Sequence, residues 1–297
     1  MRKHPVLLGF LILCLLIAVF FLLVLGVSAI SGDRHSFSLK DKIGVVFVEG
    51  AIFESQQIIA DIDTFRKDDN IRAVVLRIDS QGGGVAPSQE IYEAVVELKK
   101  KKKVVVSMGS LAASGGYLIA CAANKIVANP GTLTGSISAV MQFADAEELF
   151  KKVGLRSSVI KSGKFKDIGS PFRKMTQEEE ELLQEMIDDV YDQLLETIAR
   201  DRKIAKEELR KIADGRVFTG RQARKLGLVD ELGDMGYAVR LTGKLAGIKG
   251  EPDIVYPRGK KRSFWQLILK ESISFLAEEM KGADGKSGTV QYIYSKN

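Results

Sequence analysis

Apolar residues are arranged along this chain in two different ways. From Val6 to Ile30 they form an almost unbroken run of Leu, Ile, Val, Phe and Ala, with no formal charge between Pro5 and Gly32. At about 1.5 Å rise per residue a helix of that length crosses a hydrocarbon core of roughly 30 Å, so the run is a candidate transmembrane helix. Arg2 and Lys3 precede it and Asp33 follows. The positive-inside bias then places the N-terminus in the cytoplasm and the rest of the chain outside. Val27-Ser28-Ala29 resembles the cleavage site of a secretory leader. A leader's apolar core is only about 7 to 15 residues, which favours a retained anchor.

After a polar linker ending at Asp41, short apolar runs alternate with amphipathic stretches, the pattern of βα units around parallel strands. Ile43 to Val48, Arg72 to Ile78, Val104 to Ser107, Lys125 to Ala128 and Ser157 to Ile160 read as strands. Ser55 to Phe65, Ser88 to Lys100, Ser114 to Ala122 and Ala144 to Val153 read as helices. Thr176 to Asp201 reads as one long helix, with Thr176 and Glu179 placed for a capping box. Its stripe of Leu182, Leu183, Met186, Ile187, Val190, Leu194, Leu195 and Ile198 marks a core or subunit-interface face. Shorter helices are expected at Lys206 to Ile212, Gly220 to Leu226 and Gly236 to Leu245. The fold class is α/β. The expected division is anchor 1–32, linker 33–41, main domain 42–249 and tail 250–297. Within the tail, Tyr256 to Arg262 is a basic turn and Ser263 to Lys281 an amphipathic helix suited to a lipid surface or a neighbouring subunit. The residues after Gly282 read as flexible.

Composition narrows the chemistry. The two cysteines, Cys14 in the apolar run and Cys121 in the body, make no disulfide framework, and Cys121 reads as a small buried hydrophobe. A net charge of +6 suits a surface near anionic headgroups better than nucleic acid, for which no motif is present. Lys99 to Lys103, at a helix C-terminus, read as a solvated face. No His, Cys and Asp grouping has metal-ligand spacing, and no cofactor is expected.

Two segments stand out at strand ends. Asp79-Ser80-Gln81-Gly82-Gly83-Gly84 reads as a glycine turn between a strand and a helix. A plain tight turn, a phosphate cradle lacking its usual Lys-Ser/Thr pair, and an oxyanion hole are its three readings. Met108 to Tyr117 sets Ser114 among small residues at a helix start. Alone, Ser114 is an N-cap; beside the glycine segment it becomes a candidate nucleophile, with the neighbouring strand end supplying oxyanion donors. The only histidines are His4 and His35, flanking the apolar run, so a base for Ser114 has to be another residue type. Lys161, Lys164 and Lys166 are the candidates, and chemistry alone does not choose among them. An unshifted lysine titrates near pH 10.4, so a lysine base has to be desolvated in the assembled site.

Taken in order, Ser-Gln-Gly-Gly-Gly at 80–84, Ala-Ala-Ser-Gly-Gly-Tyr at 112–117, Leu-Thr-Gly-Ser-Ile at 133–137, Lys-Ser-Gly-Lys-Phe-Lys-Asp-Ile at 161–168 and Asp-Gly-Arg-Val-Phe-Thr-Gly at 214–220 resemble the signal peptide peptidase SppA family in its short, single-repeat form. The resemblance covers roughly residues 40 to 245. It implies a fold similar to the ClpP and crotonase superfamily, a spiral of repeated ββα units, here preceded by one transmembrane helix. It implies Ser114 as nucleophile, Lys166 as general base, Ser136 as the residue orienting that lysine, and Gly83 and Gly115 as oxyanion-hole amides. Gln81 departs from the family pattern, which commonly has proline there.

The resemblance further implies a single-pass serine endopeptidase of the bacterial inner membrane, with its catalytic domain outside, that degrades signal-peptide remnants. Its partners would be those apolar peptides, the membrane and copies of itself in a ring, with the dyad formed between neighbouring subunits. The alternatives are a membrane protease of regulatory or stomatin-like partner proteins and an inactive ring scaffold.

Overall fold

Valine- and isoleucine-rich segments with a two-residue alternation build the centre of the molecule. The computed structural model describes residues 41–257, the strand Gln291–Ile293 and, in the apolar N-terminal run, Leu15, Ile17 and Val19. Met1–Lys40 and Asp41–Asn297 are separate units. In the first, the three described residues are helical and exposed. Among the described residues no helix is long and apolar enough to cross a membrane. The remainder of the expected anchor and the expected helix at Ser263 to Lys281 lie outside them.

In the second unit, β1 (Lys42–Ile52), β2 (Ile71–Gly84) and β3 (Lys103–Ala113) are parallel neighbours, and β8 (Asp253–Val255) continues the sheet in parallel beyond β1. On the other side β3 diverges. Its middle pairs with β4 (Lys125–Ala128), which carries β7 (Glu231–Leu232), and its end pairs with β5 (Leu133–Gly135), which carries β6 (Val217–Thr219) antiparallel. β9 (Gln291–Ile293) lies antiparallel on the end of β2.

The alternation sorts side chains between two cores. Val46, Val48, Val74, Leu76, Ile78, Val104 and Val106 join Ile62 and Phe65 of α1 (Gln56–Lys67), Ile91, Val95 and Leu98 of α2 (Val85–Lys101) and Tyr117 of α3 (Gly115–Cys121). On the opposite face Ile43, Val45 and Val75 meet Val239, and Val105 and Val127 meet Ala238, both from α8 (Met235–Leu245). A parallel sheet covered on both faces has strands that read as nearly continuous apolar runs, as these do.

α5 (Gln177–Arg202) carries the expected capping box: Thr176 Oγ1 accepts from the Glu179 N–H at 3.3 Å, and Glu179 Oε2 accepts from the Thr176 N–H at 3.0 Å. Its stripe is divided. Leu194, Leu195 and Ile198 are buried against the body, whereas Leu182 and Met186, nearer the N-terminus, are exposed. The short helices α4 (Glu147–Lys152), α6 (Lys206–Arg210) and α7 (Gly220–Lys225) fall inside the segments expected to be helical.

Three expectations need correction. Asp79 to Gly84 is no turn, because β2 runs through to Gly84 and α2 begins at Val85. The glycines serve close packing instead: a Cβ on Gly83 would stand 2.1 Å from the Ile52 carbonyl oxygen of β1. Ser157 to Ile160 is no strand, since no described strand lies beside it to complete its hydrogen bonds, and Val159 and Ile160 are exposed. The tail also contributes β8 and β9 to the sheet. Strand propensity in Tyr292 and Ile293 was masked by the glycines before them.

Candidate active site

The site begins where β3 leaves β2. Their pairing ends at Ser80↔Ala112, while on the other edge of β3 Leu111, Ala112 and Ala113 pair with Leu133, Thr134 and Gly135. Ser114 is the first residue past β3, and Ser136 the first past β5. The register Ala113↔Gly135 therefore brings the two serines side by side. The Ser114 N–H donates to the Gly135 oxygen at 2.8 Å, and the Ser136 N–H to the Arg216 oxygen at 2.8 Å.

Both serines are strained. Ser114 has φ 55° and ψ −118°, Ser136 has φ 49°, and the remaining described non-glycine residue with positive φ, Lys203, is the left-handed C-cap of α5. Such backbone costs on the order of 1–3 kcal/mol and persists only where its surroundings enforce it, commonly at reactive sites. Here the enforcement comes from both sides. Gly115 packs so tightly that a Cβ there would meet Ser88 Oγ at 2.4 Å and Gly82 Cα at 3.5 Å. Gly115 is thereby held against the glycine segment of β2, bringing the two expected oxyanion-donor regions together.

The surrounding hydroxyls are occupied. Ser80 Oγ donates to the Gly50 oxygen at 2.5 Å, Ser88 Oγ to the Gly84 oxygen at 2.8 Å, and Thr134 Oγ1 to the Ala112 oxygen at 2.6 Å. Ser114 Oγ differs: it is the one buried side-chain oxygen or nitrogen among the described residues with no hydrogen-bond partner. Leaving a buried hydroxyl unpaired costs about 1–3 kcal/mol and calls for an explanation. Burial pushes the thiol of Cys121, the last residue of α3, up to about 12.

The lysines lie elsewhere, on an arm that joins β5 to α5. Lys161 pairs with Asp167 and donates to the Lys164 oxygen at 2.8 Å, while Lys164 pairs with Glu178. Arg173 grips both neighbouring carboxylates, donating from Nε to Asp167 Oδ2 at 3.0 Å and from Nη1 to Glu179 Oε2 at 2.8 Å. Arg173, with Lys161, holds the Asp167 carboxyl well below the usual carboxylate range, and Arg173 holds Glu179 down to about 2. Lys166 is the lysine of the three left over: it is exposed, and its ammonium has no partner among the described residues.

Within one protomer, then, Ser114, Ser136, Gly83 and Gly115 share one end of the sheet, and no hydrogen bond joins Lys166 to Ser114. Sequence reading missed Ser88, which sets the spacing at Gly115, and Arg173, which orders the lysine segment. The signal for Arg173 was its position six residues after one carboxylate and six before another.

Residues 96–249, just over half of the chain, match the family model described as Peptidase family S49. The chain belongs to that family. Residues 35–133 also match a Clp protease model. A Synechocystis sp. protein named as a candidate protease is 43% identical, over 73% of this chain and 78% of its own length. The chloroplastic serine protease SPPA of Arabidopsis thaliana is 33% identical, over 72% of this chain and 32% of its own length. An Enterococcus faecium protein named as a candidate signal peptide peptidase SppA is 32% identical, over 70% and 58%. This S49 chain is a serine peptidase with a mixed α/β sheet fold.

Proposed function

We propose that this S49 peptidase is a membrane-anchored endopeptidase that degrades signal-peptide remnants, using Ser114 as nucleophile and Lys166 of a neighbouring subunit as general base. The observation that carries the reading is a matched pair of deficiencies. Ser114 Oγ is buried and lacks a partner, and Lys166 is, of the three candidate lysines, the one without an ion pair, on an arm that leaves Val153, Leu155, Val159 and Ile160 exposed. A second subunit covering that apolar arm supplies both needs at once, since it desolvates the lysine and so favours its neutral form.

In this reading Lys166 takes the Ser114 proton as Oγ attacks the scissile carbonyl, and the Gly83 and Gly115 N–H groups receive the developing oxyanion. The proton passes to the leaving amine. Water, activated by the same lysine, then releases the acyl group. Ser136, beside Ser114, orients the lysine. The uncharged run from Val6 to Ile30 supports anchoring, and an anchored site suits apolar peptides held in the bilayer.

The test is complementation. Ser114→Ala and Lys166→Ala chains are each expected to lose at least ~10³-fold in kcat/KM, while Lys161→Ala and Lys164→Ala lose less than about ten-fold. Co-assembled in equal amounts, the two inactive chains should recover about a quarter of the wild-type activity per site, because a quarter of the interfaces then join an intact serine to an intact lysine. No recovery from a mixed assembly of proven composition rules out the shared dyad.

A further inference from the structure

Over most of its length β2 is paired on both edges, with β1 on one side and β3 on the other. The last stretch is different. β1 stays alongside as far as Gly83, as Ala51↔Gly82 and Ile52↔Gly83, whereas the pairing of β3 with β2 stops at Ser80↔Ala112. Gly82, Gly83 and Gly84 are thus left with one open backbone edge, facing the gap in which Ser114 follows β3. β9 occupies that edge, antiparallel, with Gly82↔Ile293, Gly83↔Tyr292 and Gly84↔Gln291. It also packs beside α3, the helix that Ser114 precedes.

We propose that this C-terminal strand is a resident peptide ligand, which holds the β2 edge that a substrate backbone needs and so limits access to Ser114 until a substrate displaces it. The inference rests on the peptidase reading above and adds a mode of regulation to it. Strand addition to an open edge draws affinity from main-chain hydrogen bonds and tolerates many sequences, so the same edge suits both the tail and an extended substrate. The tail has the composition for it. Thr289-Val290-Gln291-Tyr292-Ile293-Tyr294 is rich in β-branched and aromatic residues, and the segment from Gly282 to Gly288 that precedes it holds three glycines and no large apolar residue.

Tethering makes a weak ligand effective. A peptide segment tethered to its own site experiences an effective concentration on the order of 1 mM. With an intrinsic dissociation constant of about 0.1 mM, the tail would raise the apparent KM roughly ten-fold and leave kcat unchanged.

The experiment compares the full chain with a chain ending at Gly282 and with full-length Tyr292→Pro, which removes one backbone donor from the added strand. All three are assayed on a fluorogenic peptide, and a synthetic peptide of residues 283–297 is titrated into the shortened chain. The expected result is a KM several-fold to ten-fold lower in both variants at constant kcat, with competitive inhibition by the peptide. Unchanged KM without inhibition, in a chain that cleaves the reporter, overturns the tail assignment and leaves the peptidase reading standing. If no form cleaves any peptide, the peptidase reading fails, and fluorescence anisotropy of labelled 283–297 peptide on shortened Ser114→Ala protein decides the tail assignment alone: saturable binding supports it and no binding overturns it.

Discussion

Around Ser114, strand pairing and close glycine contacts satisfy nearly every polar group within the protomer, leaving one strained serine with a free hydroxyl. Around Lys166 the opposite holds. The arm from β5 to α5 buries little apolar surface and is ordered by charge, with Arg173 bridging Asp167 and Glu179. α5 crosses between the two regions: its C-terminal half, with Leu194, Leu195 and Ile198, is core, and its N-terminal half, with Leu182 and Met186, is exposed. The difference teaches that the shape around Ser114 is fixed by strand pairing within one chain, while the arm around Lys166 is held by charge and leaves its apolar side chains open.

The largest contrast is between one core and one arm substitution. Leu195→Ala, at a fully buried position, is expected to cost about 2–5 kcal/mol of protomer stability, measured by urea unfolding. Ile160→Asp, at a side chain as open as in an extended peptide, should change that stability by no more than about 0.5 kcal/mol. It should nevertheless lower the oligomeric mass in sedimentation and reduce peptide cleavage in proportion. An Ile160→Asp protein that keeps both its assembly and its activity would break the comparison.

A smaller effect separates charge order from core order. Asp167 and Glu179 have folded pKa values below their unfolded ones. The unfolded arm therefore takes up protons first as pH falls. Their contribution is complete above the unfolded carboxylate range of about 4 to 4.5 and is lost as pH drops toward about 2. Pepsin nicking between residues 161 and 176 should accelerate across that window while the sheet stays intact. Arg173→Leu should show fast nicking already at the upper end of the window and a reduced cleavage rate at neutral pH. Nicking that is independent of pH would show that charge does not order the arm.

The smallest effect tests the strain. Ser114→Gly relieves the φ 55° backbone and deletes the unpaired hydroxyl, against an added unfolded-state entropy of about 0.5–1 kcal/mol. A net gain of roughly 1 kcal/mol in chemical unfolding, with activity abolished, is expected. A loss of stability would mean that Ser114 is held by contacts rather than against them.

Much of this could be read along the chain. The period-two valine runs, the Thr176–Glu179 capping box and the small residues around Ser114 are local patterns whose physics acts over a few residues. Asp79 to Gly84 was misread because glycine signals both a turn and a close approach, and only the Ile52 carbonyl poised above Gly83 distinguishes them. Ser157 to Ile160 was misread because alternation marks a segment that can pair, whereas pairing needs an edge that no local pattern supplies.

By itself, then, the sequence determined most of the elements and their order, since propensity, capping and alternation are short-range. The tertiary structure alone decided three further matters. It set Ser114 beside Ser136 through the β3–β5 register, strained both, and opened the Gly82–Gly84 edge on which β9 lies. Each depends on strands distant in sequence diverging at one point, and that geometry exists only once the sheet has formed.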